Sequence, residues 1–343
     1  MNAPARPEYP TFGATILDAE GLRLSADEAA FFRAANPFGF ILFARNIDHP
    51  DQVRALCADL RNAVGRNCPI TIDQEGGRVQ RLREPHWRAW SPPLDFVARA
   101  GGQAARALYL RYRLIAAELR ALGIDSNCAP MVDVAEDVTH PFLRNRCLGT
   151  EPQEVARLGA TVAQAMLAGG VLPVVKHIPG HGRATLDSHF DLPRVAAGQN
   201  ALTARDFLPF NALADLPMAM TAHIVFEALD SAPATLSSVV IRQIREDIGF
   251  DGLLMTDDIS MKALSGTLPE RTRRALSAGC DVVLHCNGTL AERIAVAEAA
   301  DTMTAEAQRR ADAALLQRRL PDDIDIPALE AELAALMGGS GHG

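Results

Sequence analysis

The chain has 343 residues, 48% of them hydrophobic and 22% charged, with a mean hydropathy near zero. That composition excludes a disordered or low-complexity polypeptide. Its 34 basic and 42 acidic residues leave a net charge of −8, which argues against nucleic acid or an anionic membrane as a partner.

The N-terminal text, MNAPARPEYP, has no basic stretch leading into an apolar one, so no secretory signal is expected. Eight short apolar runs follow: residues 11–17, 39–44, 69–73, 128–134, 172–177, 218–224, 252–257 and 281–286. Most are continuously apolar rather than alternating, as strands covered on both faces are. Helical text lies between them at 26–35, 51–64, 103–122, 152–168, 204–213, 238–248, 269–278 and 290–309. Ser237 or Ser238 is a suitable N-cap for the 238–248 helix and Gly249 a suitable stop. Residues 326–336 read as a closing helix. Eight strands alternating with helices predict an α/β fold, a single (β/α)8 TIM barrel. A doubly wound open sheet is the competing arrangement, but no G-x-G-x-x-G turn supports it. One catalytic domain over residues 1–337 is expected, with a flexible tail over 338–343.

Three long segments interrupt the rhythm, at 75–100, 136–150 and 178–200. Each follows a strand, so each is expected at the C-terminal face, where barrel active sites are built. Polar residues end the apolar runs there: Asp73, Lys176 with His177, His223, Asp257 with Asp258, and Asn287. An unpaired buried charge is costly. Five strands ending this way point to one shared polar cavity. Strand alternation predicts that only one of Asp257 and Asp258 faces it.

The densest polar text is Lys176-His177-Ile178-Pro179-Gly180-His181-Gly182, followed by Asp187-Ser188-His189. Asp187 and His189 are close enough for the carboxylate to orient the imidazole as a general acid. Zinc held by His177, His181, His189 and His223 is a rival reading. No H-x-H or H-E-x-x-H spacing supports it, and no metal or cofactor is expected. The six cysteines include no C-x-x-C pair and read as reduced structural thiols. With no apolar run long enough to span a membrane, a cytoplasmic location is expected.

Residues 72–81 (IDQEGGRVQR), 176–182 (KHIPGHG), 187–189 (DSH) and 256–261 (TDDISM) together resemble glycoside hydrolase family 3. The resemblance runs in order from about residue 11 to about residue 300. It is closest to the single-domain β-N-acetylhexosaminidases of peptidoglycan recycling. It implies a retaining exo-β-N-acetylglucosaminidase acting on a sugar substrate, such as N-acetylglucosaminyl-1,6-anhydro-N-acetylmuramic acid with or without peptide. It implies Asp257 as nucleophile and a His189–Asp187 pair as acid/base, in place of the usual second carboxylate. Asp73, Arg81, Arg146, Lys176 and His177 match sugar-binding positions, whereas Arg78, Arg144, His181 and His223 are expected in structural roles. Ile178, where phenylalanine is usual, and Cys147, where a smaller or hydroxyl residue is expected, depart from the pattern. Phosphorolysis on the same scaffold, a metal-dependent barrel hydrolase and a non-catalytic sugar-binding barrel are the alternatives.

Overall fold

The computed structural model describes residues 11–186 and 191–338. Eight parallel strands form the central sheet. They are β1 (Gly13–Leu17), β2 (Pro37–Leu42), β3 (Ile70–Ile72), β4 (Ser126–Asn127), β5 (Leu172–Ile178), β6 (Met218–Thr221), β7 (Leu253–Met255) and β8 (Val283–His285). Their spatial order is β7-β6-β5-β4-β3-β2-β1-β8, and a single parallel bridge, Met255 to Val282, joins the two ends into a barrel.

Alternation does exist in these strands, but between two cores. Ile16, Ile41, Val174, Met220, Met255 and Leu284 belong to the barrel interior. Their neighbours Leu17, Leu42, Val175, Ala219, Leu254 and Val283 pack into the shell between sheet and helices. Both sets are buried, so the sequence of each strand reads as one apolar run.

The helices include α1 (Ala26–Ala35), α2 (Pro50–Val64), α3 (Ala104–Ala121), α4 (Pro152–Ala168), α5 (Leu208–Ala212), α6 (Ser238–Glu246), α7 (Leu268–Ala278), α8 (Leu290–Ala300), α9 (Ala305–Leu316) and α10 (Ile326–Gly338), with shorter ones such as Pro93–Ala100 in the loops. Ser237 caps α6 by accepting from the Val240 N–H, and Gly249 has φ +81° just beyond the helix. No helix among the described residues is long and apolar enough to cross a membrane. All six cysteines are free and buried.

Three element expectations need correction. The run 128–134 is not a regular strand: ladder pairing is at Ser126–Asn127, and beyond it β5 bonds to isolated carbonyls of Ala129 and Pro130. Pro130 has no N–H to extend a ladder. The helix expected over 204–213 starts earlier, at Gln199–Ala201, passes into a π-helical turn at Leu202–Asp206, and α5 starts afresh before Pro209. The helix expected over 290–309 is two helices. Asp301 has φ +55°, the Met303 N–H donates to the Phe12 carbonyl, and Thr304 caps α9. The break lets α9 place Ala307, Ala311 and Ala314 against the barrel interior, beside Phe12 and Phe38 near the strand starts.

Candidate active site

At the other end of the barrel, a cavity of about 450 Å³ opens among the loops that follow the strands. That size is ordinary for a small-molecule site. Asp73, Arg81, Arg146, Lys176, His177 and Asp257 all line it. Asp187, Ser188 and His189 lie outside the described residues, as do residues 339–343 of the expected tail; Leu186 also lines the cavity.

One wall is ionic. Past β3, the chain forms a small hairpin, Gln74–Gly76 against Val79–Gln80. Gly76 is a steric requirement: its φ is +113°, and a Cβ there would stand 1.8 Å from the Arg111 guanidinium. The Gln74 side-chain oxygen accepts from the N–H groups of Arg81 and Leu82 at 3.0 and 3.1 Å. The hairpin therefore returns Arg81 to Asp73, with Nη2 2.9 Å from Oδ2. Lys176 Nζ donates to Asp73 Oδ1 at 2.9 Å and to Glu75 Oε1 at 2.6 Å. Glu75 in turn receives both nitrogens of a fork from Arg146, at 2.8 and 3.0 Å. The result is an unbroken chain Arg81–Asp73–Lys176–Glu75–Arg146, three cations against two carboxylates, with one positive charge in excess.

Burial alone would raise both carboxyls, but the adjacent cations win. Lys176 and Arg81 hold Asp73 well below the usual carboxylate range. Arg146 and Lys176 bring Glu75 down to about 2. Burial would lower Lys176, yet its two carboxylate partners raise it above the ordinary lysine value. The whole wall is charged across the neutral pH range.

Lys176 and His177 are consecutive and both reach the cavity. The β5–β6 register shifts between Lys176 and Ile178, leaving His177 as the extra residue of a bulge, which re-aims side chains in this way. His177 Nδ1 is fixed 2.7 Å from Asp133 Oδ2, so Nε2 is the nitrogen left for a ligand. Asp133 also accepts from the His181 N–H at 2.6 Å. Sequence reasoning did not single out Glu75 or Asp133. A lone acid inside the apolar text CAPMVDV was the available signal, because a buried carboxylate demands a partner.

The opposite wall is built differently. Strand β7 ends at Met255, so alternation no longer governs Asp257 and Asp258, and both line the cavity. This corrects the expectation that only one would. The Asp258 carboxylate is occupied by the Ser260 N–H and hydroxyl at 3.0 and 2.7 Å and by the Cys286 N–H at 3.2 Å. Its backbone N–H donates to Asp257 Oδ1 at 2.8 Å. Burial pushes the Asp258 carboxyl up to about 6, against the pull of those hydrogen bonds.

His223 is a satisfied core histidine, with Thr235 Oγ1 and the Asp258 carbonyl on its two nitrogens. Among the described residues, neither ring nitrogen of His181 has a hydrogen-bond partner, and burial brings this ring down to about 4. Arg78 lines the cavity mouth, its guanidinium 3.1 Å from the Phe142 ring centroid, whereas Arg144 turns away to the Glu136 carbonyl and to Asp137. Cys147 and Ile178 are buried outside the cavity. Among the described residues, no group of three or more His, Cys, Asp or Glu side chains could hold a metal ion.

Residues 16–318 match the family model described as the glycosyl hydrolase family 3 N terminal domain. The chain belongs to glycoside hydrolase family 3. A β-hexosaminidase from Alkalilimnicola ehrlichii is 40% identical over 283 residues, 80% of this chain and 81% of the relative. One from Pseudomonas aeruginosa is 35% identical over 83% of this chain and 86% of its own. Among solved structures, NagZ from Neisseria gonorrhoeae in complex with N-trifluoroacetyl-D-glucosamine aligns with TM-score 0.83 at 28% identity, covering 97% of this chain and 99% of that one. A family 3 β-N-acetylglucosaminidase from Paenibacillus aligns with the same TM-score at 29% identity, over 94% of this chain and 67% of that one. This family 3 chain is a glycoside hydrolase of the β-N-acetylhexosaminidase class, on the (β/α)8 barrel that its sequence predicts.

Proposed function

We propose that this family 3 enzyme is a retaining exo-β-N-acetylglucosaminidase that removes terminal N-acetylglucosamine from peptidoglycan fragments. Its substrate is N-acetylglucosaminyl-1,6-anhydro-N-acetylmuramic acid, with or without peptide. Residues 1–337 serve as a single catalytic domain, working in the cytoplasm. The observation that carries the reading is the pairing of walls in one cavity: a fixed ionic chain on one side and the Asp257 carboxylate on the other.

In this reading Arg81, Asp73, Lys176 and Arg146 grip the sugar. Asp73 accepts from ring hydroxyls, and the three cations donate to hydroxyls and the N-acetyl carbonyl. His177 donates or accepts through Nε2. Asp257 attacks the anomeric carbon as the leaving-group oxygen takes a proton from His189, and a glycosyl ester forms on Asp257. His189, oriented by Asp187, then accepts a proton from water, which displaces the sugar with overall retention. The excess positive charge of the ionic wall also suits an incoming phosphate, so phosphorolysis is the second reading.

The decisive experiment follows hydrolysis of an aryl β-N-acetylglucosaminide while a 2-substituted fluorosugar is used to trap the enzyme. An adduct mapped to Asp257 is the expected result. A fully active Asp257→Ala enzyme would overturn the assignment. Formation of sugar 1-phosphate in phosphate buffer would replace hydrolysis by phosphorolysis.

A further inference from the structure

His223 lies just past β6, is fully buried and does not line the cavity. Its Nε2 is 3.0 Å from the Asp258 backbone oxygen and its Nδ1 is 2.7 Å from Thr235 Oγ1. A carbonyl oxygen only accepts, so Nε2 carries a proton. Burial lowers the basicity of the ring, which leaves it neutral near pH 7, with Nδ1 as acceptor. Thr235 then donates to Nδ1, and Thr221, 2.8 Å from Thr235, donates to Thr235. The remaining contact of the Thr235 hydroxyl, 3.0 Å to the Ala222 carbonyl, competes for the same single proton. Thr221, Thr235 and His223 therefore form a relay that fixes one imidazole tautomer and directs its N–H at Asp258.

That bond is not needed to pair the strands. The β6–β7 ladder ends at Met220 opposite Met255, and the Asp258 oxygen lies three residues further on. What the bond does hold is the residue whose N–H is 2.8 Å from Asp257 Oδ1. Asp258 is gripped at its carbonyl from the β6 side and at its carboxylate by Cys286 from the β8 side. With both ends fixed, its N–H has one direction.

We propose that His223 is a positioning residue for Asp257: by pinning the Asp258 backbone through Nε2–H, it aims the Asp257 carboxylate at the anomeric carbon. The inference rests on the reading of Asp257 as nucleophile. Misplacing a reacting group by about 1 Å costs on the order of 100-fold in rate.

The test uses two amides of different reach. A glutamine nitrogen at 223 takes the place of the imidazole Nε2, whereas an asparagine nitrogen reaches only that of Nδ1. His223→Asn should lose roughly 30- to 100-fold in kcat on an aryl β-N-acetylglucosaminide, while its Kd for N-acetylglucosamine stays within about two-fold. His223→Gln should recover to within about five-fold of the parent kcat. Equal kcat for the two variants, whether both high or both low, overturns the proposal. Should His223→Asn fail to fold, Thr235→Val decides. It removes the hydroxyl that enforces the tautomer and should cost about five-fold in kcat, and parental kcat there overturns the proposal. Asp257→Ala is assayed in parallel. If it retains turnover, the nucleophile reading falls; if it is inactive while His223→Asn is unimpaired, only the role of His223 falls.

Discussion

The two walls of the cavity solve opposite problems with opposite means. On the β3–β5 side, every buried charge has a counter-charge at hydrogen-bond distance, from Arg81 through to Arg146. On the β6–β8 side, the hydrogen bonds to the Asp258 carboxylate among the described residues come from backbone N–H groups and a hydroxyl, and its carboxyl rises to about 6. Fixed charge suits a surface that must present the same face to a sugar in every cycle. In the proposed mechanism, a wall held by neutral hydrogen bonds fixes the backbone beside Asp257, the carboxylate that forms the bond to the sugar.

Four substitutions break or sharpen that contrast. Asp257→Ala removes the group the neutral wall serves, and turnover should fall by about 10⁴-fold or more, measured as kcat on an aryl glycoside. Lys176→Met cuts the ionic chain in the middle and leaves Asp73 and Glu75 sharing a site without their common cation. A loss of about 3 kcal/mol in stability is expected, read in a denaturant titration, together with collapse of substrate binding. Arg146→Lys keeps the charge but loses the two-pronged grip on Glu75. About ten-fold in kcat/KM should be lost, and an unchanged value would mean that charge alone suffices on this wall.

The smallest effect has a sign that separates the walls. Glu75 is depressed to about 2 in the fold, so it contributes stability above the ordinary carboxylate range that is lost as pH falls from about 4 to about 2. Asp258 is raised to about 6, so its contribution is complete below about pH 4 and is lost as pH rises through 6. Asp258→Asn removes that titration. The Tm of this variant minus that of the parent should grow between pH 4 and pH 7. A difference independent of pH would mean that the Asp258 carboxyl does not titrate in this window.

Much of this was legible in the sequence for a physical reason. Strands covered on both faces must be apolar throughout, so charges at their ends stand out: Asp73, Lys176 and Asp257 are conspicuous against ITI, PVV and LLM. Partnerships were not legible. Glu75 meets Arg146 across 71 residues and Asp133 meets His177 across 44, and no local pattern encodes such pairings. That both Asp257 and Asp258 reach the cavity was not legible, because alternation was extended past Met255, where the strand has already ended. The break at 301–304 was missed because the helical composition of α8 and α9 is continuous across it, and only the cap at Thr304 marks the second start.

The buried cysteines have a practical consequence. None of the six is paired or exposed, and burial pushes Cys57 up to about 12 and Cys68 to about 11, away from the reactive thiolate. The folded chain should therefore be inert to alkylating reagents while its unfolded form carries six targets. Mass-resolved labelling along a denaturant gradient would then report which part of the barrel opens first: α2 and the approach to β3 through Cys57 and Cys68, or the β8 seam through Cys280 and Cys286.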